Sequence, residues 1–211
     1  MDLVVTNHVT LDSVMQSPAG ADEDTRGGFE HGGWAAANAD EVMGRVMGER
    51  MSGGGALLFG RRTYEKMAAF WPQQPADNPY AKAINEPDKY VASRTLQEPL
   101  AWDNATLLEG DAADAVAALK EQSGGSLSVL GSGDLLQSLM RRDLVDRWVL
   151  LIHPLVLGTG RRLFPDGGAP ARMRLTDSLT TTTGGCSSST RSCLGPAGGC
   201  SPAAGRRPAC A

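Results

Sequence analysis

Between Leu127 and Arg142 the chain reads Leu-Ser-Val-Leu-Gly-Ser-Gly-Asp-Leu-Leu-Gln-Ser-Leu-Met-Arg-Arg, and no other stretch narrows its folding options so far. Leu127, Val129 and Leu130 form a short apolar run closed by glycine. Beyond Gly131-Ser132-Gly133, the apolar residues Leu135, Leu136, Leu139 and Met140 recur at helical spacing. The pattern is a strand that turns through small residues straight into a helix. Such a helix start has amides without partners and the positive end of the helix dipole, both directed over the carboxyl end of the strand. Phosphate suits that place: Gly131 and Gly133 let a ligand approach the backbone, and Ser132 adds a hydroxyl. A tight turn with no ligand has the same local pattern, so other parts of the chain must decide.

Two further strand ends carry donors. Ala56-Leu57-Leu58-Phe59 reads as a buried strand and runs into Gly60-Arg61-Arg62-Thr63, where Thr63 is placed to cap a helix. Arginines are mildly disfavoured at a helix start by the dipole, and an anion above the turn would explain them, since guanidinium forks match phosphate oxygens. Solvated surface arginines are the plainer reading. Lys89-Tyr90-Val91-Ala92 is a third strand and ends in Ser93-Arg94-Thr95-Leu96.

The remaining elements fit around these turns. Leu3 to Thr6 is a strand, and residues 16 to 33 read as a long surface loop of the kind that serves as a lid. Asn38 and Glu41 have capping-box spacing ahead of a helical face of Val42, Met43, Val46 and Met47. The Pro-rich and Asn-rich segment from Pro72 to Pro87 reads as irregular, Ala105 to Leu108 as a strand, and Asp114 to Lys120 as a helix. Arg147 to Gly158 is the longest apolar run; it lacks period-two alternation and reads as a central strand with a bend at Pro154. Alternating strands and helices imply a largely parallel sheet, whose ligands bind outside the carboxyl ends of the strands.

The chain has 211 residues, 41% of them hydrophobic and 21% charged, with a formal net charge of −4. That suits one domain with a real core. The charge balance and the lack of a basic stripe argue against nucleic acid as a partner, and no apolar run is long enough to cross a membrane. Without a basic segment followed by an apolar one at its start, the chain is expected to be cytoplasmic.

Taken in order, Thr10-Leu11-Asp12, Gly60-Arg61-Arg62-Thr63-Tyr64, Ser93-Arg94-Thr95-Leu96, Gly131-Ser132-Gly133-Asp134-Leu135, Val145-Asp146, His153-Pro154 and Leu157-Gly158-Thr159-Gly160-Arg161-Arg162-Leu163-Phe164 resemble the dihydrofolate reductase superfamily. The nearest branch is the reductase domain of bacterial riboflavin-biosynthesis proteins, and the likeness covers residues 1 to about 184. It implies a three-layer α/β/α fold with a mixed, mostly parallel central sheet. It also implies NADPH as cofactor: Gly60, Arg61, Arg62 and Thr63 at its phosphates, Ser93 and Arg94 on the adenosine side, and Gly131, Ser132, Gly133 and Leu135 under the pyrophosphate. Members of this branch often have glycine where Ser13 stands here.

The implied activity is reduction of a small heterocycle, pterin-like or pyrimidine-like. Alternatives are 5-amino-6-(5-phosphoribosylamino)uracil reduction and an NADP-binding protein without turnover. Asp12 and Asp134 are the candidate proton donors, against a turn cap and a helix N-terminal charge as their plainer roles. No metal site is expected, because the four cysteines lack a Cys-x-x-Cys pair and a nearby histidine. The zinc motifs of the deaminase half that accompanies such reductases are absent.

All four cysteines, at positions 186, 193, 200 and 210, lie in a closing segment that has no acidic residue and, among Leu, Ile, Val, Phe and Tyr, only Leu194. Residues 185–211 therefore read as a disordered tail, or as the product of a frameshift near Gly184. Codons for Gly185 to Arg191 in another frame can spell Val-Leu-Val-Val-His-Ala, an apolar strand. Without that strand the edge of Trp148 to Ile152 would lie open, and a destabilised, aggregation-prone or dimer-dependent protein, a homodimer among the outcomes, is expected.

Overall fold

A computed structural model describes residues 1–192 apart from 39, 52, 53, 123, 169 and 183. Eight strands form one sheet: β1 (Asp2–Thr10), β2 (Ala56–Gly60), β3 (Lys89–Ala92), β4 (Ala105–Leu108), β5 (Ser126–Leu130), β6 (Arg147–His153), β7 (Met173–Thr180) and β8 (Cys186–Ser192). Their order across the sheet is β4-β3-β2-β5-β1-β6-β8-β7. The first six strands run parallel, and β8 and β7 add an antiparallel edge. The sheet is thus mixed and mostly parallel, as the sequence implies.

Helices α1 (Glu41–Met51), α2 (Arg61–Phe70), α3 (Pro79–Asn85), α4 (Ala112–Glu121) and α5 (Gly133–Arg141) cover both faces. On one face, Val116 and Leu119 of α4 and Leu135, Leu136 and Leu139 of α5 pack on Leu3, Val5, Leu58, Leu127 and Val129. On the other, Tyr64 of α2 and Ile84 of α3 join Leu57, Phe59, Val91 and Trp102, while Met43 and Val46 of α1 meet Leu151. The alternation of the strands sorts these two sets to opposite sides, which is what makes three layers.

Several local expectations change. The segment from Pro72 to Pro87 is not irregular throughout: Asn78 accepts from the amides of Tyr80 and Ala81 and starts α3 with Pro79 in its first turn. Helix α1 is capped by Asp40, whose Oδ1 accepts from Met43 N at 2.8 Å, rather than by Asn38, which turns to Trp34 O. Strand β6 stops at His153 instead of continuing past Pro154, because a proline has no amide to give to a ladder. Lys89, fully buried, donates its three ammonium hydrogens to the carbonyls of Asn85, Pro87 and Asp103 and lies over Trp102, so it ties the loops around β3 together.

The largest correction concerns the end of the chain. Residues 186–192 are not outside the fold: β8 pairs with β6 from Ile152↔Cys186 to Arg147↔Arg191, and with β7 on its other side. The boundary expected at Gly184 therefore falls inside the sheet, and the edge of Trp148 to Ile152 is covered. Backbone pairing explains this, since a ladder needs amides and carbonyls that serine supplies as well as valine does. The open edge is β7, where Met173, Leu175 and Leu179 are exposed. The expected tail from residue 193 onward lies outside the described residues.

Ser187 and Ser189 nevertheless stand on the same face as Leu151 and Val149 and are buried there, where a larger apolar side chain would add contact and fit a strand better. Replacing Ser187 by valine is expected to stabilise the protein by about 1 kcal/mol. Urea unfolding checks this, and a lower midpoint for Ser187→Val would mean the site is already filled.

Candidate functional site

The carboxyl ends of β2 and β5 are neighbours in the sheet, and the two turns that leave them are bonded to each other. Ser132 Oγ accepts from the Gly60 amide at 2.8 Å and donates to Thr63 Oγ1 at 2.9 Å. Gly131 and Ser132 both have left-handed backbone, with φ of 66° each. A side chain at Gly131 would therefore be strained even though the space beside it, toward Thr63, is open enough for a Cβ. Ser132 was expected to offer its hydroxyl to a ligand; the structure spends both its donor and an acceptor position on joining the turns. Thr63 does not cap α2 as expected. The helix begins two residues earlier, at Arg61, and Thr63 Oγ1 receives the Ser132 proton, which leaves its own hydroxyl hydrogen free to donate.

The helices differ in a telling way at their starts. α3 and α4 are capped by Asn78 and Asp111, each accepting from two backbone amides, and Asp40 serves α1. α2 and α5, which begin at the bonded turns, have no side-chain cap. Their first amides have no side-chain acceptor among the described residues, and the two helix starts are joined through Ser132. Leu135 is buried in the core, so its contribution there is its backbone amide.

The arginines are not equivalent. Arg61 pairs with Glu65 one turn on, at 3.0 Å, and Arg62 pairs with Asp134 at 3.5 Å. Arg94, at the end of β3, is exposed and has no ion pair or side-chain hydrogen bond among the described residues. Ser93 beside it accepts from the amides of Thr95 and Leu96 and so shapes the turn.

Both expected proton donors turn out to be held as carboxylates. Asp12 accepts from the Thr10 hydroxyl at 2.6 Å and from the amides of Leu157 and Gly158, so it fastens the end of β1 to the loop after β6. The Thr10 hydrogen bond holds its carboxyl below the usual range, with burial opposing and the two amides adding to the effect. Asp134 is met by Arg161, Arg62 and Arg26. Burial works to raise its pKa, but the Arg161 hydrogen bond and the three positive charges outweigh it, and the carboxyl stays below its ordinary value. A carboxylate so held has no proton to give near neutral pH.

The long loop after β1 is fastened rather than loose. Gln16 is buried; its amide donates to the carbonyls of Asp24 and Arg26, its side-chain oxygen accepts from Arg161 N, and its backbone carbonyl accepts from Trp34 Nε1. Ser13 has φ 65°, a left-handed conformation in which glycine is more at ease, so this is the backbone geometry behind the glycine often found at that position.

Two residues escaped the sequence reading. His8 Nδ1 and His153 Nε2 are 2.9 Å apart, on β1 and β6, and Trp34 packs edge-on against His153 at 5.1 Å. The available signal was slight: His153 lies within the longest apolar run, and His8 follows the apolar stretch Leu3 to Val5. Burial, and then the proximity of His153, pushes the His8 pKa down to about 4, and burial also lowers that of His153. Unfolded imidazoles take up protons near pH 6.5, so between about pH 6.5 and 4 the unfolded chain binds more protons and stability falls as pH falls. The full contribution is present above pH 6.5. His8 alone should cost on the order of 2–3 kcal/mol across that window. Urea midpoints measured from pH 7 to 4 check this, and a His8→Gln variant with the same slope as the parent would remove the cause.

On the face covered by α1, a cavity is lined by Thr6, Leu57, Ser128 and Leu130 of the sheet and by Met47 of the helix. No group of three or more His, Cys, Asp and Glu side chains suited to a metal occurs among the described residues, and none of their helices is long and apolar enough to cross a membrane.

A mostly parallel sheet with helices on both faces, and donor-rich turns gathered at the carboxyl ends of β2, β3 and β5, defines a dihydrofolate-reductase-like α/β protein. The chain belongs to the family described as the RibD C-terminal domain, which it matches over residues 2–187, and that is a family of reductases. Among curated proteins it is 28% identical over 132 residues to YyaP of Bacillus subtilis strain 168, covering 61% of this chain and 69% of YyaP. To YwjB of the same organism it is 27% identical over 120 residues, covering 56% and 63%. Its fold is similar to the crystal structure of a protein assigned to riboflavin biosynthesis from Shewanella sp. PV-4, with a TM-score of 0.68, 21% identity, and coverage of 91% of this chain and 99% of that one. It is also similar to a pyrimidine reductase-like protein of Corynebacterium diphtheriae, with a TM-score of 0.62, 12% identity, and coverage of 92% of each chain.

Proposed function

We propose that the chain is an NADPH-dependent reductase of a small heterocycle, pyrimidine-like or pterin-like, with the cofactor lying across the carboxyl ends of β2, β3 and β5. One observation carries the reading. The two helices that start at these turns lack side-chain caps, whereas the other three are capped by Asn78, Asp111 and Asp40. Free amides at two adjacent helix starts fit a pyrophosphate, and Thr63 can add its hydroxyl. Arg94 is the cation left available for a 2′-phosphate, which favours NADPH over NADH.

The cofactor, when bound, supplies hydride; the chain's part is to hold it and to seat the acceptor beside it. The pyrimidine reading draws on the family, on one structural neighbour assigned to riboflavin biosynthesis and on another described as pyrimidine reductase-like. Steady-state oxidation of NADPH tests it, with 5-amino-6-(5-phosphoribosylamino)uracil as the pyrimidine and dihydrofolate as the pterin. Turnover of either supports a reductase and chooses the class. NADPH binding without turnover of either would favour a binding protein instead.

A further inference from the structure

His153 is fully buried, and its Nδ1 is a polar atom with no hydrogen-bond partner among the described residues. Its other nitrogen faces His8 Nδ1 at 2.9 Å, so one proton lies between the two rings. If that proton belonged to His8, neutral His153 would carry its hydrogen on the orphaned Nδ1, as a buried donor with nothing to meet. If it belongs to His153 Nε2, the orphan is a bare lone pair, and buried acceptors are left unmet more readily than buried N–H groups. The second arrangement is therefore preferred. It makes His8 Nδ1 an acceptor and puts the hydrogen of neutral His8 on Nε2. That atom has no hydrogen-bond partner among the described residues, and His8 is only half-buried.

The position of His8 gives that donor a use. Thr6 pairs with Leu130 at the last residue of β5, so His8 stands two residues beyond the end of β5. It shares a face with Thr6, which lines a small cavity under α1 whose other walls include Gly54, Gly55 and Pro87, ahead of β2 and β3. Two residues along a strand span roughly 7 Å. A flat ring over the carboxyl end of β5 would have His8 at its edge.

We infer that His8 is a specificity-determining residue, a neutral Nε2–H donor to a carbonyl oxygen or ring nitrogen of the heterocycle, with His153 as the positioning residue that sets its tautomer. The inference rests on the reductase reading above and deepens it. An uncharged donor selects for acceptor-bearing rings such as pyrimidinediones, and does not attract anions. Burial keeps both rings neutral at working pH, so the donor does not switch with ordinary changes of acidity.

The test uses the full chain and begins without substrate. Long-range nitrogen–proton correlation spectra of ¹⁵N-histidine-labelled protein at neutral pH should show both His8 and His153 as the Nε2–H tautomer. A His8 resonance with its proton on Nδ1 would overturn the inference. The second measurement is turnover of 5-amino-6-(5-phosphoribosylamino)uracil. His8→Leu should raise KM about tenfold, with kcat altered less, and His8→Gln, whose amide can donate, should recover most of the loss. NADPH affinity should be the same in all three proteins. An unchanged KM in His8→Leu would overturn the inference, as would a His8→Gln variant no better than leucine. Failure of the underlying reading is told apart because it shows first in the unsubstituted protein: turnover of neither this uracil nor dihydrofolate there removes the reductase reading and this inference with it.

Discussion

Replacing Gly131 by valine is expected to weaken NADPH binding by at least about a hundredfold and to destabilise the fold by about 1–3 kcal/mol. The two losses have different origins. Gly131 has φ 66°, where a β-branched residue is strained whatever the space around it. The side chain would also stand over the junction of Ser132 with Gly60 and Thr63, in the path of a pyrophosphate approaching the helix starts. Gly131→Asn separates these, because asparagine tolerates left-handed backbone far better. It should unfold near the parent temperature and still bind NADPH poorly. Thermal unfolding and cofactor titration on the same samples decide it, and a Gly131→Asn protein with normal affinity would mean that the turn has no phosphate above it.

Arg94→Ala should lose most of the preference for NADPH over NADH, whereas Arg61→Ala should change it little. A charge-assisted contact to a 2′-phosphate contributes on the order of 1.5–3 kcal/mol, so the preference should fall by roughly ten- to a hundredfold. Arg61 already has Glu65 at 3.0 Å and Arg62 has Asp134 at 3.5 Å, and each would have to give up an ion pair to serve. The affinity of each variant for both cofactors, measured by quenching of tryptophan fluorescence, gives the answer. If Arg61→Ala or Arg62→Ala removes the preference and Arg94→Ala does not, the 2′-phosphate lies over the second turn.

The sheet and its turns were legible because they are local: apolar runs of strand length, glycine and hydroxyl residues at their ends, and helical spacing directly after. Pairings across the sheet were not. Nothing near Ser132 in sequence says that its hydroxyl will be taken by Gly60 and Thr63, and nothing near Arg62 names Asp134 as its partner, so equal roles were expected of arginines that the fold makes unequal. Asp12 and Asp134 looked like proton donors because a carboxyl group shows its pKa only once its neighbours are known, and apart from Thr10 beside Asp12 those neighbours include Leu157, Gly158 and Arg161, far along the chain. His8 and His153 were given no part in the site for the same reason, although His153-Pro154 was one of the motifs behind the resemblance. The seven residues of β8 misled in the opposite direction: their serines do not look like a strand, and only the open sides of β6 and β7 make them one.

The uncapped starts of α2 and α5 are proposed to hold a nicotinamide dinucleotide. Calorimetric titration of the full chain with NADPH, and then with NADH, tests it most directly. One site per chain is expected, tighter for NADPH by at least about tenfold. Binding should weaken as salt is raised, because the contacts are to phosphate. Failure of both cofactors to bind, at concentrations where the protein is folded, would contradict the proposal.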